Sequence, residues 1–579
     1  MWFQVDTGIL KVVLEAAQAC NISTVDFYPD IRQADPRFGD FQANGVLPYA
    51  KLHHLNPRHV TEQIVEKLRS LEVFSGKIEV SVAGPGFINF KLSGSFLTEW
   101  LNLYKSENDY RSAIAQNWSG RRIVIDYSSP NTAKQMHVGH LRSMNIGDSI
   151  YRILKFCGAD IIRDNHIGDW GTQFGILIMT IKKEGLRISD LSLEEVELLY
   201  QRGSTLVRSN ESALATARNE LVKLQNGDSE NLEIWKIINK ISLAAFDDIY
   251  REMGVSFDYT LGESFYRDRV DRIYQELMEK HIARIDNGAL CVFHEDHEQF
   301  SRQPFIIRKA DGASNYATTD LATVLYRTEI LHADELIYVT DGRQQDHFQQ
   351  LFLTVQKWYA AFNRKCPEMQ HVWFGTILGE DGKAIKTRSG TPIKLKELLN
   401  EAKTRAREIA NEKSEGLSDS DRQHVANVIG IDSIKYVDLL PNRTNDYVFS
   451  WGKMLSFNGN TAAYLLYAIA RIKSILRKCD TDIIDLTADC LETEEEKNLV
   501  RKLIYFPIIL SQAAKELRPH YLCTYLFELT GECSTFYRAD RILGEPTNIT
   551  SRRLAIMLRT LNILETGMHL LGLETLERM

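Results

Sequence analysis

The chain has 579 residues, of which 44% are apolar and 25% charged, and its formal net charge is −8. This composition is typical of a soluble globular protein with several domains, and the net charge does not indicate a nucleic-acid partner. No run of about 18 apolar residues occurs, and no basic segment precedes an apolar core near the start, so we expect neither a membrane span nor a secretory signal. The eight cysteines form no CxxC pair, which favours a reducing cytoplasm over a disulfide framework or a zinc ribbon.

Residues 1–110 form the first predicted domain, of α+β type. The tetrapeptide Ala83-Gly84-Pro85-Gly86 lies between two alternating runs and predicts a hairpin or tight loop. The predicted elements of this domain are helices over 9–19 and 60–71, turns over FGDFQANG (38–45), and strands over 77–82 and 87–92.

Residues 111–400 form the second predicted domain, in which strands and helices alternate. Its predicted elements are a polar linker (111–120), strands over 123–125 and 160–163, helices over 141–154 and after Gly171, a helical insertion at about 185–260, and further strands over 289–293, 305–307, 336–339 and 371–374. The alternation predicts a Rossmann-type parallel sheet, whose ligands are expected at the carboxyl ends of the strands.

The remaining chain is predicted to be helical, as a stem (401–457) and an all-α C-terminal domain (458–579). Amphipathic segments are predicted over 461–476, 497–514, 521–537 and 554–571. The predicted fold class is therefore α/β, with an α+β N-terminal domain and an all-α C-terminal domain.

A His-x-Gly-His turn, His137 to His140, lies between the strand over 123–125 and the following helix. Gly139 lets the backbone approach a nucleotide, the imidazoles donate hydrogen bonds, and the helix N-terminus adds positive potential. Either histidine alone is more often a core or capping residue, but the pair beside a glycine at a strand end favours ligand contact. Lys134 is a second cation for the same phosphates, or an exposed lysine.

Two further segments carry candidate chemistry. NHIGDWGTQFG (165–175) combines glycines with hydrogen-bonding side chains, which indicates either a pocket wall or a structural turn. LGEDGKAIKTRSG (378–390) is a glycine-bounded loop with Lys383, Lys386 and Arg388, cations that can neutralise charge developing on a phosphate.

Together these segments resemble a class I aminoacyl-tRNA synthetase, and more narrowly the arginyl-tRNA synthetases of bacterial type. The histidine turn matches the class's HIGH signature, and the basic loop stands where its KMSKS loop belongs. Further resemblance rests on DYSSPNTAKQMHVGHLRS (126–143), NHIGDWGTQFG, FDYTLGESFY (257–266), NYATTDLA (315–322), DGRQQDHFQQ (341–350), NGNTAAYLLYAIARIKSIL (458–476), the terminal GLETLERM, FGDFQANG and GPGFINF (84–90). The basic loop reads Lys-Thr-Arg-Ser-Gly and lacks the usual second lysine, whose charge the family is thought to take from the position of Lys134.

The resemblance implies a reaction in which ATP activates L-arginine and the arginyl group passes to the terminal adenosine of tRNA(Arg). It implies a cytoplasmic monomer that uses ATP with Mg²⁺ and has no tightly bound metal. The implied catalytic residues are His137, Gly139, His140, Lys134, Lys386 and Arg388. The implied ATP-binding residues are Pro130, His137, Gly139, His140, Lys383 and Lys386. The implied arginine-binding residues are Asp126, Asn131, His137, Tyr316, Asp320 and Gln344. The implied tRNA-binding residues are Phe87, Asn89, Trp170, Glu263, Tyr467, Arg471, Tyr537 and Met579.

Local readings compete with several of these roles. Without the resemblance, Asp126 is better explained as a strand-end turn residue and Asp320 as a helix N-cap. Spacing alone favours helix-core positions for Tyr467 and Tyr537. Two other protein classes are also considered, a smaller nucleotidyltransferase and a non-catalytic RNA-binding relative. The long helical tail argues against the first, and the intact histidine turn with its lysine and carboxylates argues against the second.

Overall fold

The computed structural model describes residues 1–115, 118–386, 392–413, 417–479 and 486–579. These residues form two compact units. The first contains the described residues within Met1–Asn117, Phe156–Gly158 and Ser456–Met579, and the second those within Trp118–Lys155 and Ala159–Leu455. Arg388 lies outside the described residues. None of the described helices is long and apolar enough to cross a membrane. The eight cysteines, all in described positions, form no disulfide with one another.

The N-terminal part of the first unit is an antiparallel sheet in the order β1-β2-β4-β3, packed with helices. Its elements are α1 (Val5–Ala19), β1 (Ile31–Gln33), β2 (Phe41–Ala43), α2 (Val46–Leu52), α3 (Pro57–Arg69), β3 (Ile78–Ala83), β4 (Phe87–Leu92), α4 (Gly94–Leu103) and α5 (Glu107–Ile114). The predicted hairpin is confirmed, since β3 and β4 pair from Ala83 opposite Phe87 onward.

Two predictions in this part are wrong. The segment predicted as turns over 38–45 contains strand β2, which pairs with β4. The buried Asp40 carboxylate accepts the Leu92 N–H at 2.6 Å and so fixes the start of this strand. The polar linker predicted from residue 111 begins inside α5, because Ser106 and Asp109 form a capping box that starts a helix in a polar sequence.

The second unit is built on a parallel sheet in the order β12-β11-β5-β6-β7. The elements of its first part, which includes the helical insertion, are β5 (Arg122–Asp126), α6 (Val138–Phe156), β6 (Asp160–Asn165), α7 (Gln173–Glu184), α8 (Leu193–Ser209), α9 (Glu211–Gln225), α10 (Ser229–Glu252), β7 (Tyr259–Thr260), α11 (Glu263–Tyr266) and α12 (Val270–Glu279). The predicted parallel sheet and helical insertion are confirmed. Buried apolar side chains from α7, α8 and α10, among them Leu177, Val196 and Ile238, form a common core, and this core holds the insertion against α7.

The rest of the second unit adds a small antiparallel sheet in the order β10-β9-β8 and the end of the parallel sheet. Its elements are β8 (Ala283–Asp286), β9 (Ala289–Val292), β10 (Phe305–Arg308), α13 (Tyr316–Glu329), β11 (Glu335–Tyr338), α14 (Gln345–Ala361), β12 (Glu368–His371), β13 (Ile377–Leu378), α15 (Leu395–Lys413), α16 (Asp419–Leu439), β14 (Tyr447–Val448) and α17 (Trp451–Met454). The strand predicted over 371–374 is displaced. The prediction followed the apolar residues after His371. The strand that forms, β12, is the more polar and partly exposed segment before them, at the edge of the sheet.

The C-terminal part of the first unit is helical, as predicted. Its helices are α18 (Ala462–Leu476), α19 (Glu494–Ile504), α20 (Phe506–Glu516), α21 (His520–Ala539) and α22 (Thr547–Leu570). The segment predicted as one helix over 497–514 is two helices. Pro507 lies in the first turn of α20, where its missing N–H costs nothing, whereas inside a continuous helix it would break a hydrogen bond.

Candidate active site and RNA-contacting residues

The loop after β5 is a strained turn that meets the loop after β6. Ser128, Ser129 and Ala133 have φ values of 72°, 47° and 66°, which L-residues rarely adopt. The Gly168 N–H donates to the buried Pro130 carbonyl at 3.1 Å, and Asn131 forms a parallel bridge with Gly168. A Cβ at Gly168 would lie 2.0 Å from the Asn131 Oδ1, so a side chain at this position would displace the Asn131 amide.

The two histidines of the turn are brought together at the start of α6. Their ring centroids lie 4.1 Å apart. The His140 Nδ1 accepts the backbone N–H of His137 at 3.1 Å, and the His137 Nδ1 accepts that of Gly139 at 3.0 Å. The His140 Nδ1 also lies 3.3 Å from the His137 carbonyl, so the tautomer of that ring depends on which of its two Nδ1 contacts it makes. A neutral His137 ring, whose Nδ1 is an acceptor, carries its hydrogen on Nε2. A Cβ at Gly139 would lie 2.8 Å from the His137 ring, so a side chain at this position would displace that ring.

Burial keeps both imidazoles neutral. It lowers the pKa of His140 to about 3. It also lowers the pKa of His137, and the nearby cations Lys394 and Lys134 act in the same direction. At neutral pH the pair therefore acts through hydrogen bonding, not as imidazolium charges.

The predicted phosphate-binding cations have different environments. Lys134 is half-buried, and its Nζ lies 5.3 Å from the centre of the Tyr200 ring. Lys383 and Lys386 are exposed. Lys383 closes a turn in which its carbonyl accepts the Gly379 N–H at 2.8 Å. Lys386 forms an isolated antiparallel β-bridge with Pro392. The structure thus places Lys134 beside the histidine turn and the other two lysines on a solvent-facing loop.

Asp126 ends β5 and is bonded inside the chain on both carboxylate oxygens. The Ser129 hydroxyl donates to its Oδ1 at 2.8 Å, and the Arg327 guanidinium donates to its Oδ2 at 2.6 Å. Arg327 is completely buried on α13 and also donates to the Asp164 Oδ2 at 2.8 and 3.1 Å. Asp126 and Asp164 are register partners on neighbouring strands. Burial raises the pKa of Asp164, and the like charge of Asp126 adds to that shift.

Asp320 lies in α13 but does not cap it. The cap is Asn315, whose side chain accepts the Thr318 N–H at 3.2 Å. The Asp320 Oδ2 instead meets the His347 Nε2 at 2.6 Å. The Tyr316 ring is 65% exposed and packs edge-on against the same histidine, with ring centroids 4.8 Å apart.

A cleft of about 370 Å³ adjoins this cluster, and Tyr316, His347 and Arg343 are among its lining residues. Gln344, the neighbour of Arg343, is exposed. Asp126 is not among the lining residues of this cleft.

Trp170 and Glu263, predicted to contact the tRNA acceptor end, lie on the loop after β6 and on α11. The Trp170 ring packs edge-on against Trp235, with centroids 5.5 Å apart, and the Arg267 guanidinium lies 5.3 Å from its centre. Burial raises the pKa of Glu263, and the like charges of Asp169 and Asp320 contribute. Glu263 is therefore close enough to Asp320 for the two carboxylates to interact.

The remaining RNA candidates belong to the first unit. Phe87 begins β4 and is half-buried, whereas Asn89 is buried and accepts a hydrogen bond from Gln42 at 2.7 Å. Tyr467, Arg471 and Tyr537 line one small cavity. The Arg471 guanidinium lies 4.2 Å from the centre of the Tyr537 ring. Tyr467 is 51% exposed, so the core position that its spacing allowed is wrong for this residue. Met579 is half-buried and is not among the lining residues of that cavity.

Sequence reasoning missed the partners of the two carboxylates, Asp164, Arg327 and His347. The position of Asp164 could have been used. It follows the predicted strand over 160–163, just as Asp126 follows the predicted strand over 123–125. His347 lies in a quoted motif, but nothing in its spacing connects it with Asp320.

Comparison with known proteins gives the chain's family. Its residues 8–92 match the family model described as "Arginyl tRNA synthetase N terminal domain", residues 102–451 match "tRNA synthetases class I (R), catalytic domain", and residues 465–579 match "DALR anticodon binding domain". The chain is 40% identical over 558 residues to the arginine--tRNA ligase of Marinomonas sp. (strain MWYL1), with 95% of each chain covered. It is 41% identical over 552 residues to that of Laribacter hongkongensis (strain HLHK9), with 94% of each covered.

Solved structures agree. Arginyl-tRNA synthetase from Plasmodium falciparum superposes with a TM-score of 0.84 at 29% identity, covering 100% of this chain and 99% of that one. The Thermus thermophilus enzyme has a TM-score of 0.82 at 22% identity, covering 99% and 100%, and shows the shared fold. With a catalytic-domain match over more than half its length and relatives of this similarity, the chain belongs to the arginyl-tRNA synthetase family, of bacterial type.

Proposed function

We propose that the protein is an arginine–tRNA ligase, which activates L-arginine with ATP and transfers the arginyl group to the terminal adenosine of tRNA(Arg). The observation that carries this proposal is the neutral histidine pair at the carboxyl end of β5, in a chain that matches arginine--tRNA ligases over nearly its whole length. The smaller nucleotidyltransferase does not account for the full-length match or the long helical tail. The non-catalytic relative does not account for the intact histidine turn with its lysine and carboxylates.

In the first step the arginine carboxylate attacks the α-phosphorus of ATP, forming arginyl-adenylate and releasing pyrophosphate. ATP, as its Mg²⁺ complex, is proposed to bind at Pro130, Gly139 and the two histidine rings, whose ring N–H groups can donate hydrogen bonds to the phosphates. The step needs no covalent enzyme intermediate, so in-line positioning and electrostatic stabilisation supply the catalysis. The cations proposed for the phosphates are Lys134, Lys383, Lys386 and Arg388.

The substrate guanidinium has five donors in a planar fork, which carboxylates meet bidentately. We assign this contact to Asp320, because an ionised carboxylate has about four acceptor sites and the His347 bond uses one. The neighbouring Glu263 carboxylate is a second candidate for the guanidinium, in addition to its proposed tRNA contact.

Other proposed arginine contacts come from the cleft beside Asp320 and from the loop after β5. Tyr316 presents an exposed ring beside Asp320, and Gln344 is exposed near the same cleft. Asn131 and His137 are proposed to hold the α-amino and carboxylate groups. Asp126, whose carboxylate is held by Arg327, is proposed as a further arginine contact.

In the second step the terminal ribose hydroxyl of the tRNA attacks the arginyl carbonyl, and AMP leaves. The proposed RNA contacts are Phe87, Asn89, Trp170, Glu263, Tyr467, Arg471, Tyr537 and Met579. Aromatic stacking on unpaired bases is the usual mode of binding RNA loops, and the grouping of Tyr467, Arg471 and Tyr537 around one cavity supports it.

We further propose that the protein is a cytoplasmic monomer, divided into domains at about residues 110, 400 and 457, and that the first step requires bound tRNA.

ATP–pyrophosphate exchange with each of the twenty amino acids, with and without tRNA, tests the proposal. Exchange is expected with arginine alone, and to depend on tRNA(Arg). Exchange with another amino acid, or none even with tRNA present, refutes the assignment.

A further inference from the structure

One face of α8, within the helical insertion, contacts the residues just before the histidine turn and Lys394, which is bridged to that turn. Glu197 and Tyr200 are three residues apart in this helix and so share a face. The Tyr200 ring lies under the Lys134 ammonium at 5.3 Å. The Glu197 Oε2 accepts hydrogen bonds from the Lys394 Nζ at 2.6 Å and from the Gln135 Nε2 at 3.0 Å.

Lys394 is held alongside the turn by its backbone. It forms an antiparallel bridge with His137. On either side of it, the Val138 N–H donates to the Ile393 carbonyl at 2.9 Å, and the Leu395 N–H donates to the Met136 carbonyl at 3.0 Å. Lys134 precedes the histidine turn in sequence and Lys394 is bridged to His137, so two cations lie near the turn and both act on His137.

We propose that Glu197 and Tyr200 are positioning residues for adenylate formation, which hold Lys134 and Lys394 as a pair of cations for the phosphates of ATP. The inference rests on the proposed function and extends it, because it gives the insertion a part in the chemistry and adds Lys394 to the phosphate-binding groups. It also bears on the missing second lysine of the basic loop, since two lysines beside the turn supply that charge from another part of the chain.

The physical reason is the freedom of a lysine side chain. Its ammonium is a point charge at the end of a flexible side chain. If that side chain becomes ordered only in the transition state, its lost conformational entropy adds to the activation free energy of adenylate formation. A cation–π contact limits the positions of Lys134. A charge-assisted hydrogen bond does the same for Lys394, and because the same Glu197 oxygen also holds Gln135, the carboxylate ties Lys394 to the chain just before the turn.

The test uses arginine-dependent ATP–pyrophosphate exchange in the presence of tRNA. Tyr200→Leu removes the π face, whereas Tyr200→Phe keeps it. Glu197→Gln removes the charge with little change in shape, and Glu194→Gln, at an exposed position of the same helix, is its matched control. We expect kcat to fall about tenfold in Tyr200→Leu and Glu197→Gln, with an unchanged KM for arginine. Tyr200→Phe and Glu194→Gln are expected to keep the wild-type kcat.

A double-mutant cycle separates positioning from a general loss of structure. If Glu197 acts through Lys394, Glu197→Gln adds no further loss in a Lys394→Met background. Wild-type kcat in both Tyr200→Leu and Glu197→Gln overturns the proposal, as does an equal loss in Tyr200→Phe and Tyr200→Leu, or full additivity with Lys394→Met. Absence of arginine exchange in the wild-type protein instead refutes the proposed function, so the two failures are distinguishable.

Discussion

Replacing Arg327 with methionine is expected to destabilise the parallel sheet strongly. Arg327 is completely buried and bonds Asp126 at 2.6 Å and Asp164 at 2.8 Å, and those two side chains are 8% and 0% exposed. Methionine fills a similar volume but leaves two adjacent carboxylates without a cation. Removing one partner of a buried ion pair costs about 3–5 kcal/mol. Since the carboxylates are nearly or fully buried, we expect the free energy of unfolding to fall by about 4 kcal/mol at neutral pH.

A second substitution tests the electrostatic cause. In the Arg327→Met background, Asp164→Asn removes one of the two stranded charges, while Asp126 keeps the Ser129 hydroxyl as a donor. We expect the double variant to recover about half of the loss, or ~2 kcal/mol. If instead lost packing of the arginine stem causes the instability, the second substitution recovers nothing.

The pH dependence follows from the same burial. Burial already raises the pKa of Asp164 in the native protein, and loss of Arg327 raises it further above the unfolded value. For an acid with a raised folded-state pKa, the destabilisation is fully present above that pKa and disappears as pH falls through it. The deficit of Arg327→Met should therefore shrink as the pH falls below neutrality.

Hydrogen exchange of peptides from β5 and β6 is the appropriate assay, because a chain with two compact units need not unfold in one step. Wild-type protection of both strands in Arg327→Met at neutral pH would falsify this reasoning. A deficit that grows on acidification would contradict its electrostatic basis.

Three further outcomes are expected. Asp320→Asn should raise the KM for arginine about 10- to 100-fold with little change for ATP, because a charge-assisted contact is lost, and an unchanged arginine KM removes Asp320 from the site. With its pKa at about 3, His140 should show no imidazole titration by NMR above about pH 5, and a titration near neutrality would contradict its burial. Gly262→Ala places a Cβ 2.3 Å from the Asp169 carboxylate and should lower Tm by several degrees, whereas a wild-type Tm would show that the loop adjusts without cost.

Patterns of near neighbours in sequence predicted most of the architecture. The alternation of apolar and polar residues predicted the hairpin of β3 and β4, and the alternation of strands and helices predicted the parallel sheet, in which the proposed site lies at the end of β5. The errors have local causes as well. The polar sequence before residue 115 is helical through its capping box, and edge strand β12 has too few apolar residues to be recognised by hydropathy. In both places a few hydrogen bonds outweigh the apolar pattern on which prediction depends.

The partnerships of charged side chains were not predictable in the same way. Arg327 is 201 residues from Asp126, and Lys394 is 197 residues from Glu197, so no periodicity links the partners. The need for a cation near Asp126 was still inferable, because Asp126 and Asp164 each directly follow one of two predicted strands. These strands pair in the structure, and two adjacent buried carboxylates require a cation. Which of the chain's arginines supplies it depends on how α13 packs across the sheet, and that is a property of the fold. Sequence therefore indicates where a buried charge must be compensated, whereas only the three-dimensional structure identifies the residue that does so.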